Sequence, residues 1–179
     1  MACLLTPTQL FLINCGDSRG ILVKGNHIEL NTYDHKPTQL KEKQRIQNAG
    51  GIVALNRVNG GLATSRGLGD FEYKNVKNIS DSSKWAPHRQ FVSSEPDVFH
   101  TQRDVTDKFV ILACDGIWDV CKNEDVKDFY LTKLAQAQNK INPDDLIKMN
   151  DELLNVCLEK VNKNISIFLQ ENIVKIFFF

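Results

Sequence analysis

The chain has 179 residues, 42% of them hydrophobic and 25% charged, with 22 basic side chains balanced by 22 acidic ones. That length and apolar fraction suit one packed domain or a large part of one, and the balanced charge lends no support to a nucleic-acid or acidic-membrane partner. Its apolar runs fall far short of a membrane span and no secretory leader precedes the first polar residues, so no membrane association is expected. The five cysteines are odd in number, lack C-x-x-C spacing and include three inside apolar runs. They read as reduced, buried thiols of a cytoplasmic or nuclear protein, and no zinc site can be drawn from them.

In chain order, Ala2–Leu5 is strand-like, Pro7-Thr8 turns, and Leu10–Cys15 is a second apolar run. This is a hairpin with no preamble, as though the domain began upstream. The second run delivers Gly16-Asp17-Ser18-Arg19, where Asp17 either holds its own turn or offers a carboxylate at a strand end. Ile21–Val23 and His27–Leu30 flank Gly25-Asn26 as a further hairpin, and His27 and His35 read as surface or turn residues. A helix is expected from Pro37-Thr38 through Leu40 and Ile46, stopping at Gly50-Gly51. Residues 52–70 are punctuated by glycine but contain neither G-x-G-x-x-G after a strand nor a Walker pattern, which argues against nucleotide binding. Arg57 and Arg66 could each meet a phosphate, although pairing with a neighbouring carboxylate is the default for an arginine. Lys74 to Arg89 reads as a polar surface loop and Val98–Gln102 as a short strand.

Phe109–Cys114 is a continuous apolar run of the kind expected for a strand buried on both faces. It ends at Asp115-Gly116, and Asp119 follows four positions after Asp115. Two readings are open here. Asp-Gly between apolar runs is a common hairpin signal, with Gly116 free to take a positive φ. Alternatively the carboxylates bind a hard metal ion, and the same layout at Asp17 strengthens that reading. Asn123 is expected to cap a helix from Glu124 to about Gln136. Another is expected from Pro143 to about Lys160, with Leu146, Ile147, Leu153, Leu154, Cys157 and Leu158 on its apolar face.

Seven stretches occur in an order that resembles a known family: Asn14-Cys15-Gly16-Asp17-Ser18-Arg19, Asp34-His35-Lys36-Pro37, Arg45-Ile46-Gln47-Asn48-Ala49-Gly50-Gly51, Arg57-Val58-Asn59-Gly60-Gly61-Leu62-Ala63, Ser65-Arg66-Gly67-Leu68-Gly69-Asp70-Phe71, Glu95-Pro96-Asp97-Val98, and Leu112-Ala113-Cys114-Asp115-Gly116-Ile117-Trp118-Asp119. They look like the metal-dependent (type-2C, PPM) protein serine/threonine phosphatases, nearest the animal alpha and beta forms. Gly67 departs from the family's usual alanine. The resemblance implies an α+β fold, an α-β-β-α sandwich of two antiparallel sheets, here incomplete. It implies Mg²⁺ or Mn²⁺ as cofactor, in a dinuclear site. Asp115 matches a ligand of the dinuclear pair, and Asp17 a ligand of a weaker additional metal, with Asp119 close by. It also implies phosphoprotein substrates, a monomer, and a flap-like segment at 52–89 within a partial domain at 1–160.

Several family motifs are missing from this sequence. It holds no Asp-Gly-His, its four histidines lie outside any such motif, and the family's Gly-Ser-Arg-Asp-Asn-Met-Ser is replaced by Lys160-Val161-Asn162-Lys163-Asn164-Ile165-Ser166. The expectation is a serine/threonine phosphatase family member whose chain, taken alone, is inactive and poorly soluble. The alternative is a non-catalytic fragment or pseudophosphatase acting as an interaction module. In the tail at 161–179, Asn, Lys, Ile and Phe supply 13 of 19 residues, against 43 of the first 160. All four have AT-rich codons, and Val161-Asn162 is compatible with a splice donor, so the tail reads as translated intron. The competing reading is a diverged terminal strand over Ile165–Leu169. In either case the apolar end Ile176–Phe179 is an aggregation liability.

Overall fold

A computed structural model describes residues 1–74, 86–138, 141–160 and 174–178. The chain forms two compact units: one comprises Met1, Ile13–Asp17 and Tyr33–Val98, the other Ala2–Leu12, Ser18–Thr32 and Phe99–Phe179.

The second unit is built on two neighbouring strands, β3 (Arg19–Lys24) and β8 (Asp107–Ala113), which pair antiparallel with Ile21 opposite Ile111 and Leu22 opposite Val110. β4 (His27–Asn31) flanks β3 and β9 (Val174–Phe178) flanks β8, giving an antiparallel sheet of order β4-β3-β8-β9. The turn between β3 and β4 uses Gly25 at φ +52°, the left-handed geometry a tight hairpin requires. A second sheet has the order β1-β2-β7, from β1 (Ala2–Leu5), β2 (Gln9–Asn14) and β7 (Asp97–Gln102).

Alternation along β3 and β8 sends side chains into two separate cores. Leu22 and Val110 pack with Leu10 and Leu12 of β2, between the two sheets. Ile21, Val23, Phe109 and Ile111 point the other way, towards two helices, α3 (Asn123–Gln136) and α4 (Pro143–Lys160), where they meet Val126, Tyr130, Leu153 and Cys157. The layers are therefore sheet, sheet and helices, the α+β architecture expected. Each fully buried aliphatic side chain contributes roughly 1.5–3 kcal/mol. Tyr130 is also fully buried, and its hydroxyl donates to Asn150 Oδ1 at 2.7 Å, which satisfies the one polar atom it carries inward.

The first unit holds α1 (Leu40–Asn48) and a small hairpin, β5 (Val53–Ala54) with β6 (Arg57–Val58). Ile46, Val58 and Val92 form its apolar cluster. Beside them lies a buried carboxylate, Glu42, whose side chain is 3% exposed. Arg45 Nη2 donates to Glu42 Oε2 at 2.9 Å, Arg66 Nη2 to Oε1 at 2.7 Å, and the Ser65 hydroxyl lies 2.7 Å from Oε2. Arg45 also donates to the Ser65 carbonyl at 2.7 Å and to the Gln90 carbonyl, so it ties α1 to two later loops. Burial by itself would raise the Glu42 pKa, but these bonds outweigh it and hold the carboxyl down at about 2.

Several expectations need correction. α1 begins at Leu40 with Gln39 as its N-cap, after a turn at 37–39, although Gly50 ends it as expected with φ +89°. Helix α3 starts one residue early, and Asn123 is no cap: its Oδ1 accepts from Arg19 Nη1 at 2.6 Å. On α4, Ile147 and Leu158 are exposed at 60% and 36%, while the unremarked Met149 is buried. Positions 146, 149, 153 and 157 follow one helical stripe, and Ile147 stands about 100° away from Leu146 around the axis. The fully buried thiols are Cys121 and Cys157; Cys3, Cys15 and Cys114 are only half-buried, and none of the five is in a disulfide. His35 is buried at 2% exposure. The β5–β6 hairpin escaped notice because its turn pair, Leu55-Asn56, lacks glycine yet takes φ +52° and +62°. Of the 74–89 loop, residues 75–85 lie outside the described residues, as does the Ile165–Leu169 strand.

Replacing Phe109 with alanine is expected to cost about 3–5 kcal/mol, because β8 is locked between two cores and cannot collapse into the void. Val105→Ser, at a position fully exposed at 101%, should change stability by less than about 0.5 kcal/mol; urea denaturation of both variants checks the contrast. For Glu42, a folded pKa lowered from 4.5 to about 2 means a contribution that is complete above pH 4.5 and lost as pH falls towards about 2. That contribution is worth up to about 3 kcal/mol. Glu42→Gln should lower the urea midpoint at neutral pH and flatten its decline over that acid window.

Candidate functional site

Strand β8 ends at Ala113, and Cys114 turns the chain into a single helical turn, α2 (Asp115–Trp118). The anchor of this turn is apolar: Ile117 and Trp118 are buried, and Trp118 Nε1 donates to the carbonyls of Ala113 at 2.8 Å and Arg19 at 3.1 Å. The Arg19 guanidinium covers the indole, 5.2 Å from the ring centre. Asp115 thus occupies the first helical position, half-buried, and Asp119 the exposed position that follows the turn. The Asp119 N–H donates to the Asp115 carbonyl at 2.7 Å, so the two carboxylates stand one turn apart on one face. The hairpin reading of Asp115-Gly116 is wrong, and Gly116 is not among the residues with positive φ. An open recess of about 410 Å³ lies alongside, lined by Arg19, Trp118, Asp119 and Asn123 among others.

Asp17 belongs to the other unit. Gly16 precedes it at φ +143°, and its N–H and carbonyl are both used by His35: the amide donates to His35 Nδ1 at 3.1 Å, and the His35 N–H donates back at 2.9 Å. With Nδ1 accepting, the ring proton sits on Nε2, which donates to Asp97 Oδ2 at 3.2 Å. The buried Asn14 side chain adds bonds to the carbonyls of Gly16 at 3.0 Å and Tyr33 at 2.9 Å. The loop is therefore rigidly held, and the Asp17 carboxylate accepts from Lys36 Nζ at 2.8 Å.

These groups do not fit a two-ion centre. Small divalent cations such as Mg²⁺ take about six oxygen ligands in octahedral geometry, usually several waters with one or two carboxylates for each ion, so a pair of ions needs more carboxylates than a single turn supplies. Asp115 and Asp119 together could face one hydrated ion, whereas Asp17 already neutralises an ammonium that a cation would have to displace. Among the described residues no group of three or more His, Cys, Asp or Glu side chains is arranged to hold a metal. Nor is either of the two arginines singled out from the sequence poised for phosphate. Arg66 is committed to Glu42 and to Asp97, at 3.0 Å from its Oδ1, and Arg57 donates to the Gly61 carbonyl at 2.7 Å. Sequence reasoning missed His35, Asn14 and Glu42 as the framework of this loop and its neighbour, since a glutamate in an amphipathic helix reads as a surface residue.

Comparison with known proteins accords with this arrangement. The family described as protein phosphatase 2C matches residues 1–165. Human protein phosphatase 1A is 46% identical over 168 residues, covering 93% of this chain, and rat protein phosphatase 1B is 44% identical over 167 residues. The chain spans 41% and 40% of the length of these two relatives. A crystal structure of a phosphatase from a pathogenic strain of Toxoplasma gondii superposes with a TM-score of 0.74 at 26% identity, over 94% of this chain and 47% of that one. Shared sequence over nearly the whole chain, shared fold and the acidic turn at the end of β8 lead to one conclusion: the chain belongs to the protein phosphatase 2C family.

Proposed function

We propose that this chain is part of a metal-dependent protein serine/threonine phosphatase and that its own residues do not sustain turnover. The family match over residues 1–165 carries the first half of that reading. The second half rests on the donor count: Asp115, Asp119 and a lysine-paired Asp17, in a sequence with no Asp-Gly-His. On this reading Asp115 would take the Mg²⁺ or Mn²⁺ ion, with Asp119 as a neighbouring carboxylate, and Asp17 is proposed as a ligand of a further, weaker ion. Ions of that kind, when bound, activate water and neutralise the charge of a phosphate monoester. What the chain itself supplies is position. The buried Ile117 and Trp118 hold the turn, and the Trp118 bonds to the ends of β3 and β8 keep Asp115 from rotating away.

Phosphoserine and phosphothreonine in proteins are the proposed substrates, and segment 52–89 is proposed to border them. The five cysteines, none in a disulfide, favour the cytoplasm or nucleus, where thiols stay reduced. No helix among the described residues is long and apolar enough to cross a membrane. The second reading, an interaction module without catalysis, draws on one observation: edge strand β1 exposes Leu4 at 52% and Leu5 at 40%. An open strand edge with apolar side chains is a template for pairing. Intron origin of 161–179 is proposed on composition and on the splice-donor compatibility of Val161-Asn162; an apolar run of any origin can pair with the open side of β8, as β9 does. Sequencing the gene and transcript across Lys160 decides that origin.

Purified chain given a phosphothreonine peptide and millimolar Mn²⁺ is expected to release phosphate at the background rate, unaltered by Asp115→Ala. Turnover that disappears in Asp115→Ala would overturn the inactive reading and leave the family assignment intact.

A further inference from the structure

Two of the five cysteines meet inside the second unit. Cys121 follows α2 and Cys157 lies on α4, separated by 36 positions in sequence, and their sulfurs approach to 3.6 Å. Both are buried, at 4% and 0% exposure. They are not equivalent. Cys121 lines a groove of about 530 Å³ together with Phe129, Leu153 and Lys160, whereas Cys157 is not part of that lining. Lys160 Nζ stands 3.5 Å from Cys121 Sγ. Burial raises the Cys157 thiol pKa, and its place outside the groove lining keeps it from meeting a solvent oxidant first.

We propose that Cys121 and Cys157 form an oxidation site that converts hydroperoxides into an intrachain disulfide. Cys121 sulfur, the one at the groove, attacks the peroxide oxygen. The O–O bond breaks, the distal oxygen leaves as water after taking up the thiol proton, and Cys121 becomes a sulfenic acid. The Lys160 ammonium stabilises the charge that gathers as this bond breaks. Cys157 sulfur then attacks Cys121 sulfur, the S–O bond breaks, and the hydroxyl departs with the Cys157 proton as a second water. The two thiols are oxidised by two electrons in all, and one hydrogen peroxide is reduced to two waters. A disulfide requires the sulfurs to close from 3.6 Å to about 2.05 Å. Since Cys121 is two positions beyond Asp119, the bond would fasten the end of the acidic turn to α4.

The full chain treated with hydrogen peroxide, alkylated and digested tests this directly. Mass spectrometry should show the Cys121 and Cys157 peptides joined with loss of two hydrogens, forming at least about tenfold faster than any pairing of Cys3, Cys15 or Cys114, because fixed proximity raises the effective concentration. The same treatment in urea should abolish the preference. In Cys157→Ser, dimedone should trap a sulfenic acid at Cys121; in Cys121→Ser, Cys157 should remain unlabelled. Equal pairing in buffer and in urea, or dimedone capture at Cys157 in preference to Cys121, would overturn the proposal. The comparison of buffer with urea uses the unaltered chain, so it stands whether or not either variant folds.

Discussion

The pairing of β3 with β8 is the constraint on which the second unit depends. Both strands are buried on both faces, so each contributes to the core between the sheets and to the core beneath the helices. Neither core would close without them. The register that puts Arg19 opposite Ala113 also brings two strand-end carbonyls within reach of one indole N–H, and Trp118 bonds to both. The acidic turn is therefore an extension of the central ladder, with its orientation set by backbone groups that already have fixed places.

In the first unit a charged group takes the organising role. Taking a carboxylate out of water costs several kcal/mol unless donors replace the lost hydration. Glu42 has two guanidinium groups and a hydroxyl around it, and the lowered pKa records that the replacement is more than sufficient. One consequence is chemical: Arg66, in a motif that resembles the phosphatases and with a guanidinium suited to phosphate, is bound to Glu42 and Asp97 instead. It supports the loop, and its charge is already balanced.

Membership of a phosphatase family and the arrangement of carboxylates among the described residues are thus separate findings about the same chain. The fold keeps what the turn at Asp115 needs, namely strand, anchor and indole bonds, while among the described residues no group of three or more His, Cys, Asp or Glu side chains is arranged to hold a metal. The cysteine pair shows the same separation between architecture and chemistry, since it uses the packing of α4 against the end of α2 for a reaction unrelated to phosphate.

Elements with strong local periodicity were legible from the residues alone. The run Phe109–Cys114 predicted a doubly buried strand, Gly25-Asn26 a hairpin, and Gly50 a helix stop, each because one short pattern has one favourable backbone solution. Ordered motifs likewise carried the family. What the linear pattern left open was decided by contacts between distant residues. Whether Asp115-Gly116 turned back as a hairpin or wound into a helix depended on the pocket that Ile117 and Trp118 fill. His35 read as a turn residue until Gly16 and Asp97 closed around it, and Glu42 as a surface charge until Arg66, 24 positions later, arrived beside it. Cys121 and Cys157 have no spacing that marks a pair. Burial of a polar or sulfur atom is a property of its surroundings, and the surroundings are assembled only when the chain folds.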